Sequence, residues 1–313
     1  MMLYDKCTTK LINVPNIKVL LFRAFLKKSN FHSEKYIDPT LPTNKFYYDN
    51  AIFDENICGR YHQVVDWDPT SKFIHPCYLH SLAFPLHMKL LLLPEFVFPL
   101  MGLVHVKNQI NQARPIKKHE VLSVISSFGQ LELHSKGWLF SIIVKFFSGN
   151  EIVWQSKSTH LFRTEHGRDI AIKDKALIDA FIDPVNTSWK FDSDLGSLYA
   201  NVSGDFNPIH LSKWLAKMFG FKQHIIHGMF TKSYCISALH KKNPILFEKA
   251  FEINTTFKQP LYLPSQVIMA AQRLRPDDTN NEQRFMVRGV GTNDEKQPLY
   301  LIGSIRTTQR YFL

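Results

Sequence analysis

The chain has 313 residues, and 45% of them are hydrophobic. That content is enough to bury a core in each of two units of ordinary domain size, and it excludes an intrinsically disordered protein. The net charge of +11 favours polyanionic partners in general. No RNA- or DNA-binding motif accompanies the charge, so we expect no nucleic-acid partner.

The four cysteines show neither a CxxC pair nor a Cys/His metal spacing, which predicts free thiols in a reducing cytoplasm. The longest apolar run, residues 90–106, is interrupted by Pro94, Glu95 and Pro99. We therefore expect a buried core segment here and no membrane span.

The first half of the chain predicts helices followed by strands. Residues 1–45 are typical of a leader and a first helix, and residues 46–65 of a helix-containing segment. A long buried helix with a kink near Pro85 is expected over residues 74–90. Val-, Ile- and Phe-rich runs predict strands over residues 100–110, 120–133, 137–147 and 152–162. This order indicates an α+β fold with an antiparallel sheet.

The second half repeats that order. A loop over residues 199–210 precedes a helix from residue 228 to about 241, and four strands are predicted after it. Their ranges are 251–257, 265–274, 284–291 and 299–307. Residues 164–184 are polar and are expected to bridge the halves. We therefore predict two units, an N-terminal one over 1–170 and a C-terminal one over 185–313.

The loop places an acid and an imidazole close together. Asp205 and His210 are five residues apart, and Pro208 prevents a helix from running between them, so their side chains can converge from a bent loop. Gly228 follows His210 by eighteen residues and begins the apolar helix. A glycine there offers a free backbone N–H and the positive end of the helix dipole, which suits a developing oxyanion.

The sequence Ser-Gly-Asp-x-Asn-Pro-Ile-His from Ser203 to His210, followed by Ile-x-His-Gly-Met ending at Met229, resembles the signature of MaoC-like dehydratases, the (R)-specific enoyl-CoA hydratases. The resemblance implies a double hot-dog fold, in which each unit wraps an antiparallel sheet around a long central helix. It further implies a hydro-lyase that interconverts trans-2-enoyl and (R)-3-hydroxyacyl thioesters of coenzyme A or acyl carrier protein. Asp205, His210 and Gly228 are then the expected catalytic groups.

Six further residues belong to the same signature, and we expect them to bind substrate or to shape the loop. They are Ser203, Gly204, Asn207, Phe221, His227 and Met229. For His227 a structural role is favoured over a functional one, because its apparent counterpart His75 occurs in the first unit, which has no catalytic loop.

The first unit has a partial copy of the same pattern. Ile74-His75-Pro76 corresponds to Ile226-His227-Gly228, and residues 104–110 correspond to 251–257. Because proline has no backbone N–H and the first unit has no acid-x-Asn-Pro-x-His loop, we expect that unit to be catalytically silent. The apolar region over residues 84–103 is a candidate for a wall of the substrate site.

Alternatives of different classes remain open on the sequence. Hot-dog folds also include thioester hydrolases, and the charge and apolar stretches suit a non-catalytic acyl-binding module. The histidines show no HExxH pattern and no glycine-rich nucleotide motif is present, so we expect neither a metal nor a cofactor. A homodimer is possible.

Overall fold

The computed structural model describes residues 5–27, 39–51, 53–100, 102–164, 181, 184–272, 282–291 and 297–308. Elements of the first half are β1 (Thr8–Leu11), α1 (Ile17–Leu26), β2 (Lys45–Ala51), α2 (Glu55–Val64), α3 (Tyr78–Leu82), α4 (Phe84–Leu91), β3 (Val104–Gln112), β4 (Leu122–His134), β5 (Gly137–Ser148) and β6 (Glu151–Arg163). Elements of the second half are β7 (Pro184–Phe191), α5 (Leu195–Ser203), α6 (Lys213–Met218), α7 (Gly228–Lys242), β8 (Phe251–Phe257), β9 (Ser265–Gln272), β10 (Glu282–Gly289) and β11 (Leu299–Thr307).

All eleven of these strands belong to one sheet, in the order β1-β2-β4-β5-β6-β3-β8-β11-β10-β9-β7. The pairing is antiparallel except between β1 and β2. The two strands matched by the internal sequence comparison, β3 and β8, pair with each other where the halves meet, from Lys107 opposite Thr256 to Gln112 opposite Phe251. Strands that precede residue 164 lie on one side of this junction, and those that follow residue 184 lie on the other.

This arrangement supports the proposal of two units, 1–170 and 185–313. The boundary predicted near residues 165–185 falls mostly outside the described residues. The strands predicted over 251–257 and 299–307 have the bounds of β8 and β11, so these predictions are confirmed. The other strands differ from their predicted ranges at the ends, where local patterns define a boundary least sharply.

The first helix expected within residues 1–45 is α1, but the segment that follows it differs from the prediction. Residues 45–51 form β2 and not part of a helical segment, because this stretch pairs with β4 on one side and with β1 on the other. The helix of that segment is α2, which begins later, where the Asp54 side chain accepts hydrogen bonds from the backbone N–H groups of Asn56 and Ile57. Phe46, Tyr47 and Tyr48 are of residue types that favour strands, so the local propensity of this stretch agrees with β2.

The helix expected over residues 74–90 consists of two pieces, α3 and α4, which meet at Ala83. Pro85 lies in the first turn of α4, where its missing N–H costs nothing, but its ring cannot continue a helix that comes from α3. The break therefore occurs at the position where a kink was predicted. In the second half, α7 runs unbroken for 15 residues.

Two elements of the second half were not predicted. β7 lies where the polar bridge was expected to end, and it forms one edge of the sheet beside β9. α5 extends to Ser203, so the first residues of the supposed loop are helical. The bend itself begins at Gly204, which has φ of +78°, a left-handed conformation that glycine adopts without strain.

α7 is the centre of the packing, because residues on all sides of it are buried. α2 and the segment before α3 lie against it: the Tyr61 hydroxyl is 2.9 Å from the Ser233 hydroxyl, and His75 Nε2 is 3.2 Å from the Ser233 carbonyl oxygen. A single apolar cluster therefore includes residues of both halves. None of the helices in the described part of the chain combines the length and apolar character that crossing a bilayer requires.

Candidate active site

The residues of the predicted loop lie in a compact bend after α5. The Asp205 carboxylate accepts a hydrogen bond of 3.2 Å from the Asn207 backbone N–H, and the Asn207 side chain accepts one of 3.4 Å from the Ile209 N–H. Pro208 then begins a short 3-10 turn that ends at His210. These local bonds hold the acid and the imidazole on one side of the bend.

His210 is buried, and its tautomer follows from its contact. Nδ1 lies 2.8 Å from the Ile225 carbonyl oxygen, which only accepts, so Nδ1 carries the proton and donates. Burial lowers the pKa of His210, which keeps the ring neutral at pH 7. Nε2 therefore has a free lone pair, and it has no hydrogen-bond partner within the described residues.

His227 joins the acid and the first imidazole. Its Nε2 donates a hydrogen bond of 2.8 Å to the Asp205 carbonyl oxygen and lies 4.0 Å from a carboxylate oxygen of the same residue. Its ring stacks on His210 with 3.7 Å between the centroids. Burial, and then the neighbouring His210, hold the pKa of His227 well below its ordinary value, so this ring is neutral as well. The structure thus brings Asp205, His210 and His227 into one cluster.

The Asp205 side chain is 30% exposed and is the most accessible member of the cluster. Loss of hydration raises the pKa of Asp205, while His210 and the Asn207 N–H oppose that shift. A carboxyl group whose proton affinity is raised beside a neutral imidazole is typical of acid–base chemistry. The cluster therefore offers two proton acceptors, the Asp205 carboxylate and His210 Nε2.

Gly228 is the first residue of α7 and follows His227 directly. Its backbone N–H has no acceptor within the helix and no other partner in the described part of the chain. A Cβ atom at this position would lie 2.9 Å from Cδ1 of Phe257, which explains why glycine stands here. The helix start thus presents an unpaired donor, at the positive end of the helix dipole, beside the cluster.

Comparison with known proteins finds similar sequences and similar structures. The sequence profile of the MaoC like domain matches residues 181–296. Residues 181–296 are therefore the part of the chain that is similar to the MaoC-like domain. The matched residues include the bend, the cluster and Gly228, together with strands β7, β8, β9 and β10.

Two curated relatives share part of the sequence. A 3-hydroxyacyl-thioester dehydratase X of Mycobacterium tuberculosis is 29% identical over 188 residues, which cover 60% of this chain and 66% of the relative. A mitochondrial 3-hydroxyacyl-[acyl-carrier-protein] dehydratase of Arabidopsis thaliana is 27% identical over 94 residues, or 29% of this chain and 54% of the relative. The chain thus spans about two thirds and about half of these relatives' lengths.

Solved structures show the fold. HtdX of Mycobacterium tuberculosis superimposes with a TM-score of 0.69 and 23% identity, covering 85% of this chain and all of HtdX. Rv0216 of the same organism, which has a double hot-dog fold, superimposes with a TM-score of 0.53 and 10% identity over 83% of this chain and 95% of that one. The α+β double hot-dog predicted from the sequence is confirmed.

The remaining signature residues of the MaoC-like domain lie in different surroundings. Ser203 and Gly204 shape the start of the bend, since the Ser203 hydroxyl accepts a 3.3 Å hydrogen bond from the Asp205 N–H. Met229 is buried in the apolar core. Phe221 closes the end of α6 through its backbone N–H and has no described side-chain contact with the cluster. The assignment of Ser203, Gly204, Phe221 and Met229 to substrate binding or loop shaping stays a prediction.

The corresponding position of the first unit lacks the donor. Pro76 has no N–H, and its carbonyl oxygen accepts a hydrogen bond of 2.9 Å from Trp154 Nε1. α3 begins only at Tyr78, two residues beyond that position. His75 is buried there and bonds to backbone, its Nδ1 accepting from the Cys77 N–H. This region forms a packed support beneath α7.

The cluster of the MaoC-like domain is also the group of described side chains best placed for a cation, because one ligand-type atom from each of Asp205, His210 and His227 lies within 4.8 Å of the others. Two of the ring nitrogens donate to carbonyl oxygens, which leaves His210 Nε2 and His227 Nδ1 as available lone pairs. The sequence predicts that no metal binds here, and the absence of a metal stays a prediction.

Sequence reasoning missed one charged group near the site. Lys232, on α7 of the MaoC-like domain, is completely buried. The signal was present, since a lysine interrupts the apolar residues that identify α7 as a buried helix.

Proposed function

We propose that this protein is a hydro-lyase that interconverts trans-2-enoyl thioesters and (R)-3-hydroxyacyl thioesters. The observation that carries the proposal is the convergence of the Asp205 carboxylate and the free Nε2 of His210 beside the unpaired N–H at the start of α7. The named activities of the two curated relatives and the match to the MaoC-like domain support it.

Addition of water to a 2-enoyl thioester needs a base that removes a proton from the water and an acid that protonates the second carbon. A water between Asp205 and His210 would donate one hydrogen bond to each acceptor. As its oxygen bonds to the third carbon, one proton passes to the pair, and the pair returns a proton to the second carbon. Dehydration of the 3-hydroxyacyl thioester follows the same steps in reverse.

The negative charge that develops on the thioester oxygen needs a donor that is already in place. The Gly228 N–H supplies it, and its position at the first turn of α7 adds the helix dipole. Loss of one such donor costs an enzyme about 2.7 to 4 kcal/mol of transition-state stabilisation. A donor of this kind lowers the barrier more than it strengthens substrate binding.

His227 and the bend position these groups. His227 donates to the backbone carbonyl oxygen of Asp205, which fixes the backbone that carries the carboxylate, and it stacks on His210, so that rotation of the His210 ring would break a buried contact. The Asn207 side chain caps the 3-10 turn by accepting a hydrogen bond from the Ile209 N–H. We assign His227, Asn207, Ser203 and Gly204 to shaping the site.

We further propose that the first unit is catalytically silent and supports α7. The thioester is carried by coenzyme A or an acyl carrier protein, both of which are anionic and suit the net charge of +11. All four cysteines are free thiols and three are buried, which fits a reducing compartment such as the cytoplasm.

The test is a spectrophotometric assay of purified protein with crotonyl-CoA and longer trans-2-enoyl-CoA substrates. We expect loss of the enoyl absorbance, and its near-abolition in Asp205→Asn and His210→Ala. Asp192→Asn and His134→Ala are matched controls, because both side chains are exposed and lie outside the cluster.

A thiol-trapping dye in the same reactions distinguishes the alternatives. Release of free coenzyme A would indicate a thioester hydrolase. Binding of acyl-CoA without turnover of any chain length, on coenzyme A or on carrier protein, would indicate a non-catalytic module. Either result, or unchanged rates in both cluster variants, would refute the proposal.

A further inference from the structure

A buried lysine stands one helical turn after the residue that carries the proposed oxyanion donor. Lys232 is the fourth residue after Gly228 on α7, and its side chain is 0% exposed. Nζ donates hydrogen bonds to the Asn108 side-chain oxygen at 2.5 Å and to the Asn108 carbonyl oxygen at 3.2 Å. The Asn108 amide in turn donates to the Ser158 hydroxyl at 3.0 Å. The ammonium group is thus anchored on β3.

No carboxylate forms an ion pair with Lys232 in the part of the chain that the structure describes. The titratable groups that face it are His75, Cys77, His80 and His105, from the segment before α3, α3 itself and β3. Burial lowers the pKa of each of these histidines and raises the pKa of Cys77, so all four are neutral at pH 7.

An ammonium group that is buried without an anion is costly, because hydrogen bonds to neutral oxygens replace only part of its hydration. Burial accordingly lowers the pKa of Lys232 to about 8. Most protein molecules therefore still carry a protonated Lys232 at pH 7. The charge has no counterion among the described residues, and the negative charge that develops on the substrate during the proposed reaction would be a transient one.

The helix and the strands fix where this charge lies. Residues four apart on a helix share one face about 6 Å apart, and long side chains lean towards the helix N-terminus. Gly228 packs on Phe257, while the residue that anchors Lys232, Asn108, stands opposite Thr255. Phe257 and Thr255 are two residues apart on β8 and face the same side, at a spacing of about 7 Å. The ammonium group is therefore beside the first turn of α7.

We propose that Lys232 supplies a buried positive charge that stabilises the negative charge developing on the thioester oxygen at the Gly228 N–H. This role rests on the proposed hydro-lyase function. The charge acts through space across a site of low polarity, where attraction over a helical turn is far stronger than in water. This role would also account for a lysine without an ion-pair partner inside the central helix.

The experiment replaces the charge and keeps the shape. Lys232→Gln retains an N–H donor for Asn108, Lys232→Met removes it, and Lys232→Arg keeps the charge. Lys242→Met is the matched control, because Lys242 is exposed at the far end of the same helix. We expect kcat of both neutral variants to fall at least about tenfold with KM changed by less than about threefold, and Lys232→Arg to regain part of the loss.

The pH dependence tests the charge itself. Wild-type kcat should fall above about pH 8 as Lys232 loses its proton, and Lys232→Gln should lack this decline. Stability should change in the opposite sense. Because the unfolded chain binds more protons than the folded one between about pH 8 and 10.5, wild-type stability should rise over that window relative to Lys232→Gln. Urea unfolding at several pH values measures this difference.

The outcomes separate the two proposals. If the wild type is active and both neutral variants keep its kcat, or if Lys232→Gln shows the same pH dependence as the wild type, the role of Lys232 is refuted while the function stands. If the wild type hydrates no enoyl thioester, the function fails, and bound acetoacetyl-CoA still tests the charge. Its enolate absorbance should be stronger with the wild type than with Lys232→Gln, and equal absorbance would overturn the inference.

Discussion

Substitution of Gly228 by alanine separates the packing of this residue from its backbone donor. The new Cβ would lie 2.9 Å, 3.0 Å and 3.2 Å from Cδ1, Cε1 and Cγ of Phe257, and contacts under about 3 Å force the ring or the helix start to move. Overpacking of this kind costs about 1 to 3 kcal/mol. The φ of Gly228 lies outside the left-handed region, so backbone strain adds nothing.

Gly59 provides the matched control. It lies inside α2, where a Cβ would meet nothing within 4 Å, so Gly59→Ala should stabilise the protein by about 0.5 to 1 kcal/mol through helix propensity alone. Urea unfolding should therefore show Gly228→Ala to be less stable than Gly59→Ala by about 1.5 to 4 kcal/mol. Movement of the helix start should also lower kcat at least about tenfold, whereas Gly59→Ala should keep wild-type activity.

A double-mutant cycle with Phe257→Leu tests the cause. If the phenyl ring is the obstacle, the alanine should cost less in the Phe257→Leu background than in the wild type. The reasoning is refuted if Gly228→Ala is as stabilising as Gly59→Ala. It is equally refuted if removal of the ring leaves the cost of the alanine unchanged.

Three further predictions concern the cluster. Asp205→Asn should abolish turnover and raise the midpoint of urea unfolding at pH 7. The reason is that a raised pKa makes the ionised carboxylate less favourable in the folded protein than in the unfolded chain. A lower midpoint would contradict the raised pKa. The advantage of Asp205→Asn should shrink as the pH falls through the folded-state pKa of Asp205, and urea unfolding at several acidic pH values measures the change. The value of kcat/KM should decline at acidic pH as Asp205 and His210 become protonated, with a midpoint above the ordinary aspartate pKa of 3.8. A pH profile of kcat/KM that is flat down to pH 4 would exclude the pair as proton acceptors. Dialysis against a chelator should leave the rate unchanged, and a loss restored by added Zn²⁺ would show that Asp205, His210 and His227 hold a metal.

Agreement between sequence and structure is best where information is local. The runs that became β8 and β11 alternate in burial along their length, and turn residues bound them. The break between α3 and α4 could be read from Pro85 for the same reason. β2 was missed although Phe46, Tyr47 and Tyr48 favour a strand, because the run is short and its partner β4 lies some 75 residues later in the chain.

The sequence by itself determined which groups could react, since the spacing of Asp205, His210 and Gly228 is a property of one bend and one helix start. Only the tertiary structure decided that His227 stacks on His210 and that Lys232 is buried without a carboxylate partner among the described residues. Burial and pKa depend on segments that arrive from far along the chain, such as β3 with Asn108. A local pattern carries no information about them, because the electrostatic environment of a side chain is set by what packs around it.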